Sequence, residues 1–513
     1  MKQRLNQVVF RRRVFVISIL LGQIIFLVFL LAGTGIYVDY ANLVLNVISI
    51  GVCIHVLNRH AKAAYKITWI FLIMLFPIFG GILYIFFHSQ SNPRKLTRII
   101  YQNKQDSSTS FFLCGNRLSE LLETYPEFSP QARYLQNYAG FPVFANTRTT
   151  YLDSGESYFS RVLEQLEKAR RYIFLEFFIL CEGLMLNSIL SILERKAREG
   201  LDIRLIYDDL GCFMTLPAQY KSFLEQKGIK CYVFNPFRPI LSSLQNNRDH
   251  RKIIAIDGTV AFTGGLNLAD EYINAVDRFG HWKDAAIMLE GEGAWALTLI
   301  FLQMWNTASK SGSRDSYHHF YPWKESSCEI ASEGFVQPYA DSPIDEENVG
   351  EHVYIQIINR AKDYVYINTP YLIVDDNLIS ALTLAAKSGV DVRIITPHRW
   401  DKWIVAMTSR SYFHQLISAG VKVYEYTAGF NHGKTFVSDD CIATVGTTNL
   451  DFRSLYLHFE CGVLVYHSEA VLAIKEDFLR TIPISHEVRL KECARNNFQK
   501  IILDVLRLFA PLM

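Results

Sequence analysis

Two short segments of the sequence place a histidine and a lysine at alternate positions. The first reads His250-Arg-Lys252 and the second reads His432-Gly-Lys434. In extended backbone, alternate side chains point to the same face, so each pair can meet one ligand. A neutral imidazole can attack phosphorus, and an ammonium group beside it can hold the negative phosphate oxygens. The two segments therefore predict chemistry at a phosphate group.

Further polar residues follow both segments at equal spacing. Asp257 and Asp439 come five residues after their lysines, and Asn267 and Asn449 come seventeen residues after their histidines. Each asparagine follows a glycine turn that can bring its amide close to the same anion. The aspartates should face away from the phosphate, because they stand at an odd offset from their lysines, and we assign them a supporting role. Two copies with identical spacing predict a paired active site.

An acidic residue follows each copy and could orient a histidine. Asp284 ends His281-Trp-Lys-Asp284 after the first copy, and Glu460 ends His458-Phe-Glu460 after the second. Either carboxylate could bond the far nitrogen of a catalytic imidazole and fix its tautomer. The nine cysteines are scattered without CxxC pairs, which indicates a reducing compartment and no metal site.

The elements that must position these residues form a tandem repeat. Three other segments recur at offsets of 189 to 192 residues, beginning at Ala169 and Ala361, at Gly200 and Gly389, and at Gly228 and Gly420. Each repeat reads as short apolar strands around a helical stretch, with helices predicted over Ser191–Glu199 and Leu378–Lys387. Alternating strands and helices predict an α/β sandwich in each half.

The charge distribution separates a basic leader from an acidic body. Residues 1–105 contain twelve Lys or Arg and one acid, so this leader is +11, and the remainder is −9. An acidic body does not suit a nucleic-acid-binding protein, which needs basic surface to meet phosphates. The leader also contains three apolar segments, at about 14–32, 36–57 and 67–87. Segments of this length predict transmembrane or membrane-associated helices.

The basic residues beside the apolar segments indicate orientation. They lie in the amino-terminal tail, in the loop after the second segment and in the region after the third. Because Lys and Arg are enriched on the cytoplasmic side of a membrane, this distribution predicts a multi-pass protein with its body in the cytoplasm. The predicted domains are the leader (1–105), a first repeat (134–310), a linker (311–348), a second repeat (349–483) and an amphipathic carboxy-terminal helix (489–513).

The paired motifs resemble those of the phospholipase D superfamily, whose members carry HxKxxxxD twice. The resemblance covers residues 134–483. Other segments resemble the bacterial cardiolipin synthases in particular, including Gly264-Gly-Leu-Asn-Leu-Ala-Asp-Glu-Tyr, Gly446-Thr-Thr-Asn-Leu-Asp-Phe-Arg-Ser and the leader segment Phe76-Pro-Ile-Phe-Gly-Gly-Ile-Leu-Tyr. The implied fold is two tandem phospholipase D-type α/β sandwiches packed together and preceded by membrane helices.

The resemblance implies a phosphatidyltransferase of the bacterial cell membrane. One histidine, which we take to be His250, would attack phosphatidylglycerol to give a phosphatidyl-histidine, and the other, His432, would act as acid and base. A second phosphatidylglycerol would then accept the phosphatidyl group to give cardiolipin. The near-symmetry of the motifs leaves these two roles exchangeable. Lys252, Lys434, Asn267 and Asn449 would stabilise the phosphate, and no cofactor or metal is expected.

Two alternatives remain open at this point. The first is a hydrolase with the same motifs, either a membrane-bound phospholipase D or a nuclease, although the charge of the body disfavours a nuclease. The second is a non-catalytic membrane scaffold, and the two complete motifs argue against it. Membrane lipid is the expected partner, nucleic acid is not, and the sequence leaves the oligomeric state open.

Overall fold

The computed structural model describes residues 21, 25, 36–76, 80–81, 84–85, 94–113, 115–237, 245–308, 315–322, 330–345 and 347–512. The chain divides into two compact units. The first contains residues 1–94, 237–247 and 504–513, and the second contains residues 95–236 and 248–503. Both predicted repeats therefore lie in the second unit.

The first repeat forms one mixed β-sheet. Its strands and the two short strands associated with it are β1 Thr147–Leu152, β2 Tyr172–Phe177, β3 Asp202–Asp208, β4 Lys230–Phe234, β5 Arg248–Asp249, β6 Ile253–Ile256, β7 Val260–Gly264, β8 His281–Lys283 and β9 Ala286–Gly291. Seven of them form the sheet in the order β1-β9-β7-β6-β2-β3-β4. Strands β2, β3 and β4 run parallel to one another, and β6 pairs with β2 in antiparallel register.

The second repeat has the same strand order with one strand added. Its strands are β10 Phe335–Asp341, β11 Tyr364–Asn368, β12 Leu372–Ile373, β13 Asp391–Pro397, β14 Lys422–Tyr426, β15 Gly429–Asn431, β16 Thr435–Ser438, β17 Ile442–Gly446, β18 Leu450–Asp451, β19 His458–Tyr466 and β20 Ser485–Glu487. The sheet order is β10-β19-β17-β16-β11-β13-β14-β20. This equivalence confirms the prediction of two tandem α/β repeats.

Helices cover both sheets. The α-helices that lie wholly in the second unit are Leu118–Thr124, Ser129–Tyr134, Gly155–Lys168, Leu184–Arg198, Asp209–Cys212, Tyr220–Gln226, Glu292–Ala308, Tyr317–Phe320, Val349–Arg360, Asp376–Lys387, Trp403–Ser418, Phe452–Tyr456 and Glu469–Thr481, and Arg94–Phe111 begins at the boundary. In the first repeat, Val162, Leu166, Ile189 and Leu193 bury their side chains with Leu205 of β3 in one core. The two helices predicted from periodicity are present, and they begin seven and two residues earlier than expected.

The predicted linker of residues 311–348 contains a strand, which corrects that boundary. Strand β10 pairs with β19 along its whole length, so the second repeat begins at Phe335 and not at residue 349. Pro338 and the surrounding polar composition hid this strand, since proline cannot donate to a β-ladder. A proline is tolerated at this position because β10 is an edge strand.

The first unit contains two leader helices, Ile36–Leu57 and Ala63–Leu75. Val56, Trp69, Ile73 and Tyr84 bury their side chains together. Among the described residues, no helix combines the length and the hydropathy needed to cross a bilayer, so the prediction of transmembrane helices is not supported there. Except for residues 21 and 25, the predicted segment 14–32 lies outside the described residues, as does part of 67–87.

The carboxy-terminal helix is shorter than predicted. It runs over Asn497–Phe509 and not over 489–513, and 3₁₀ turns at Leu490–Cys493 and Ala510–Leu512 stand on either side of it. Its end contacts the leader, because the Thr68 hydroxyl lies 2.7 Å from the carbonyl oxygen of Leu508. Several apolar side chains of this helix are exposed, Phe498 and Ile501 most of all.

Candidate active site

A pair of short strands carries each His-x-Lys segment from its own repeat to the other. Strand β5, immediately before His250, pairs in parallel with the start of β19 in the second repeat. Strand β15, immediately before His432, pairs in parallel with β8 in the first repeat. Each histidine therefore lies close to an acidic residue of the opposite repeat. Glu460 lies on β19, and Asp284 directly follows β8. The histidines and lysines themselves lie in the short connections between β5 and β6 and between β15 and β16, and not on the strands.

His250 of the first repeat pairs with Glu460 of the second. Its Nδ1 lies 2.8 Å from Oε1 and 3.1 Å from Oε2 of that carboxylate. The backbone N–H of His250 also donates to the carbonyl of Phe459, at 3.0 Å. Because Nδ1 faces a carboxylate, the proton of the neutral ring belongs on Nδ1, and Nε2 keeps its lone pair. This is the tautomer that a nucleophile or a general base requires.

His432 of the second repeat pairs with Asp284 of the first in the same way. Its Nδ1 lies 2.7 Å from Oδ2 of Asp284, and its backbone N–H donates to the carbonyl of Lys283 at 2.7 Å. The rings of Tyr272 and Trp282 pack on this imidazole, with centroids at 5.6 and 5.3 Å. The sequence predicted both orienting acids but did not predict that each acts on the histidine of the opposite repeat.

The two lysines are buried beside the histidines. Lys252 and Lys434 are each only 2% exposed, and each ammonium donates to the carbonyl of the histidine two residues before it. The Nζ of Lys434 also lies 2.8 Å from Nδ1 of His432, a contact for which Lys252 has no counterpart in the described structure. Two buried cations form a site suited to an anion.

Burial and the lysines together keep the histidines neutral. The pKa of His250 is held well below its usual value, first by burial and then by Lys252 and Lys434. Burial and Lys434 lower the pKa of His432 to about 4. Burial also lowers the pKa of Lys252 to about 8 and that of Lys434 to about 7. Burial alone would raise the pKa of Asp284, but His432 and Lys434 outweigh it and hold that pKa below its usual value.

Asp257 and Asp439 lie away from the histidines, in the turns after β6 and β16. The Asp257 carboxylate accepts backbone N–H groups of residues 170, 171 and 172 at 2.8 to 2.9 Å. Asp439 accepts those of residues 362, 363 and 364 at 2.8 to 3.0 Å. Each therefore anchors the start of the neighbouring central strand. These contacts are structural, and the supporting role assigned to the two aspartates stays a prediction.

Asn267 and Asn449 lie at the site, but each amide already has a partner. Nδ2 of Asn267 donates to the Tyr272 hydroxyl at 2.7 Å, and its Oδ1 accepts the backbone N–H of Ile179 at 3.0 Å. The Asn449 side chain interacts with the Asp451 carboxylate, while its own Oδ1 is buried and has no hydrogen-bond partner among the described residues. Each amide has a second hydrogen, so the predicted role in phosphate binding stays a prediction.

The two halves differ at one position that the sequence did not single out. Gly265 leaves room for Asp284, since a methyl group built on it would lie 1.9 Å from Oδ1 of that carboxylate. The equivalent residue in the second repeat is Thr447, whose hydroxyl donates to Oε2 of Glu460. A comparison of Gly264-Gly265 with Gly446-Thr447 is the signal that could have found this difference.

A third imidazole, His458, also belongs to the site. Its ring centroid lies 5.4 Å from that of His250, and its Nδ1 lies 3.7 Å from Oε1 of Glu460. Potential ligand atoms of His250, His458 and Glu460 lie within 4.8 Å of one another. In the described part of the chain, these three residues form the group that could bind a metal ion. The His250–Glu460 hydrogen bond already occupies two of those atoms, and two lysine ammonium groups lie nearby.

Comparisons with known proteins agree with this geometry. A family model described as cardiolipin synthase, PLD-like domain, matches residues 162–279 and 354–482. A model described as phospholipase D-nuclease N-terminal matches residues 44–87. Each of the two matches to the first model lies within one repeat and covers most strands of its sheet.

Full-length relatives point the same way. A cardiolipin synthase of Halalkalibacterium halodurans is 34% identical over 91% of this chain and 92% of its own. An uncharacterized protein of Streptococcus mutans is 45% identical over 90% of this chain and all of its own. The crystal structure of phosphatidylserine synthase from Haemophilus influenzae matches with a TM-score of 0.54 at 14% identity, over 74% of this chain and 97% of that one, which supports the fold alone. The chain belongs to the cardiolipin synthase family.

Proposed function

We propose that this protein synthesises cardiolipin by transferring a phosphatidyl group from one phosphatidylglycerol to another and releasing glycerol. The observation that carries the proposal is the crossed arrangement of two histidine–carboxylate pairs, His250 with Glu460 and His432 with Asp284. Each pair stands beside a buried lysine. Two oriented imidazoles and two cations are what a two-step displacement at a phosphodiester requires.

In the first step, Nε2 of His250 attacks the phosphorus of the donor lipid. The P–N bond forms while the P–O bond to the headgroup glycerol breaks, and His432 gives a proton to the departing oxygen. In the second step, His432 takes the proton of the terminal hydroxyl of a second phosphatidylglycerol. The new P–O bond forms, the P–N bond breaks, and its electron pair returns to His250.

The assignment of roles rests on the difference between the two halves. Both oxygens of Glu460 face Nδ1 of His250, which suits them to stabilise the positive charge that this ring acquires during attack. The Lys434 ammonium lies 2.8 Å from Nδ1 of His432 and makes a protonated ring more acidic. That favours His432 as the proton donor. The negative charge of a bound lipid phosphate raises the pKa of His432, so the ring takes up a proton from solvent before the first step.

The enzyme acts at the membrane in this proposal. Its substrates are membrane lipids, and the leader is basic and carries apolar segments. The family model described as phospholipase D-nuclease N-terminal matches residues 44–87 of this leader. We propose a bacterial cell-membrane enzyme with a multi-pass leader and a cytoplasmic catalytic body, supported by the distribution of lysine and arginine beside the apolar segments.

Product analysis by mass spectrometry tests the proposal. Detergent-purified enzyme and its His250→Ala and His432→Ala variants would receive vesicles of headgroup-labelled phosphatidylglycerol. We expect one free glycerol for each cardiolipin, and a loss of product in both variants of roughly 10²-fold or more. Phosphatidic acid and glycerol without cardiolipin would identify water as the acceptor and the protein as a phospholipase. No product of either kind would favour a scaffold.

A further inference from the structure

Arg453 is a partly buried cation that has no ion-pair partner among the residues that the structure describes. It lies in the short helix Phe452–Tyr456, four residues after Asn449. Its Nε is buried and has no hydrogen-bond partner, and in the described part of the chain no carboxylate oxygen lies within 4.0 Å of its guanidinium nitrogens. Burying part of a guanidinium without a counter-ion costs free energy, so the protein is expected to hold it for an anion that binds there.

The acidic groups nearest Arg453 are already occupied. Asp451 caps the same helix through the backbone N–H of Ser454, at 2.9 Å. Asp208 accepts backbone N–H groups of residues 210 and 211 at 2.9 Å and that of Asp249 at 3.2 Å. Burial still lowers the pKa of Arg453 despite the favourable charge of both aspartates. Among the described residues, neither carboxylate lies within 4.0 Å of the guanidinium nitrogens, so neither forms an ion pair with Arg453.

Arg453 lies in the short helix between Asn449 and His458, two residues that the active site contains. Its charge contributes to lowering the pKa of His458, and the ring of His458 lies 5.4 Å from that of His250. Nδ1 of His458 is buried and has no hydrogen-bond partner in the described structure. The site therefore continues from the imidazole of His250 to that of His458, which has unused hydrogen-bonding capacity, and the chain leads from there back to the helix that carries Arg453.

We propose that Arg453 binds the phosphate of the acceptor phosphatidylglycerol and that His458 contacts the glycerol between that phosphate and the attacking hydroxyl. This inference rests on the proposed function. The acceptor differs from water and from free glycerol because it carries a second anion, three carbons from the hydroxyl that reacts. Lys252 and Lys434 are taken by the donor phosphate, so the second anion needs a cation of its own. Arg453 supplies it and favours transfer to lipid over hydrolysis.

Two reactions of the same enzyme separate this role from a role in donor binding or in folding. Cardiolipin formation needs an acceptor with a phosphate, whereas exchange of radiolabelled glycerol into phosphatidylglycerol uses the same donor and a neutral acceptor. For Arg453→Gln in the full chain, with subsaturating phosphatidylglycerol, we expect cardiolipin formation to fall roughly 10- to 100-fold, as for loss of a charged hydrogen bond. Glycerol exchange should stay within about twofold of the unmodified enzyme.

Arg360→Gln is the matched control. Arg360 is also partly buried, but its guanidinium lies 3.9 Å from Glu127 and 4.0 Å from the centre of the Phe128 ring. This variant should lower neither reaction selectively. Should Arg453→Gln not fold, Arg453→Lys keeps the charge and should raise the KM for the acceptor lipid while leaving glycerol exchange in place.

Three results would overturn the inference. An equal fall of both reactions would place Arg453 in donor binding or in folding, and no change in either would show that it binds no anion that matters to transfer. An unmodified enzyme that exchanges glycerol but makes no cardiolipin would refute the proposed function itself. That third result is visible before any variant is compared.

Discussion

Nδ1 of His250 lies 2.8 Å from Oε1 of Glu460, although 210 residues separate them and they belong to different repeats. His432 and Asp284 form the reciprocal pair across 148 residues. Each repeat therefore contributes an imidazole to one pair and a carboxylate to the other. The site is complete only when both sheets are folded against each other.

Removing the charge of the orienting acids should slow the reaction without preventing folding. For Glu460→Gln and for Asp284→Asn we expect kcat to fall roughly 10²- to 10⁴-fold, because the favoured tautomer and the stabilisation of the imidazolium are both lost. Initial rates of cardiolipin formation measure this effect. Glu127→Gln, at a half-exposed side chain outside the site, serves as the control, and activity of the two site variants within threefold of the unmodified enzyme would contradict the prediction.

Gly265→Ala should damage the site by displacing Asp284. The added methyl group would lie 1.9 Å from Oδ1 of that carboxylate, so the carboxylate must move away from His432. We expect a fall in activity of roughly 10²-fold or more, comparable with that of Asp284→Asn. Gly51→Ala, where nothing lies within 4 Å of the added group, should leave the rate unchanged. Equal rates for the two alanine variants would show that Asp284 tolerates the methyl group.

The rate should depend on pH through the buried lysines. The pKa of Lys434 is lowered to about 7 and that of Lys252 to about 8, so both ammonium groups lose protons as the pH rises through these values. We expect kcat/KM to fall above about pH 7, because the cations that hold the phosphate disappear from the free enzyme. On the acid side the rate should not fall at the usual imidazole pKa, because the nucleophile His250 must be neutral and its pKa is held well below its usual value.

The variant Lys434→Arg tests the origin of the alkaline fall. Arginine keeps its charge throughout this range, so the fall should move toward the pKa of Lys252, whatever the absolute rate of the variant. A profile of kcat/KM that rises through pH 7 to 9 in the unmodified enzyme would contradict the assignment.

The motif aspartates should affect stability more than chemistry. Asp257→Ala removes the acceptor of three backbone N–H groups at the start of β2. We expect a loss in the free energy of unfolding of about 1–3 kcal/mol, seen as a drop of several degrees in the Tm in detergent. The rate per folded molecule should change little. Asp153→Ala, at a half-exposed residue, is the comparison, and a rate loss as large as that of Asp284→Asn would instead give Asp257 a catalytic role.

Much of the fold could be predicted because the two repeats preserve their spacing. Equal distances from histidine to lysine, aspartate and asparagine indicated the paired site, and the recurring apolar strands indicated the two sheets. The strand at Phe335–Asp341 was missed because a proline and polar neighbours disguise an edge strand.

The pairing of histidines with acids could not be predicted in the same way. It depends on β5 and β15, which are two and three residues long and pair with the opposite repeat. No local periodicity marks strands that short. His458 and Thr447 were missed because the first repeat has Trp282 and Gly265 at the equivalent places, and a comparison that looks for identity passes over positions that differ.

The crossed pairs also bear on how such a site can evolve. In a dimer of identical single-repeat subunits, a site shared across the twofold axis would have two halves with the same residues, and any mutation would alter both. Duplication within one chain removes that constraint. Here one half has Asp284 beside Gly265 and the other has Glu460 beside Thr447. The tandem architecture thus allows division of labour, in which one histidine specialises in bonding to phosphorus and the other in carrying the proton.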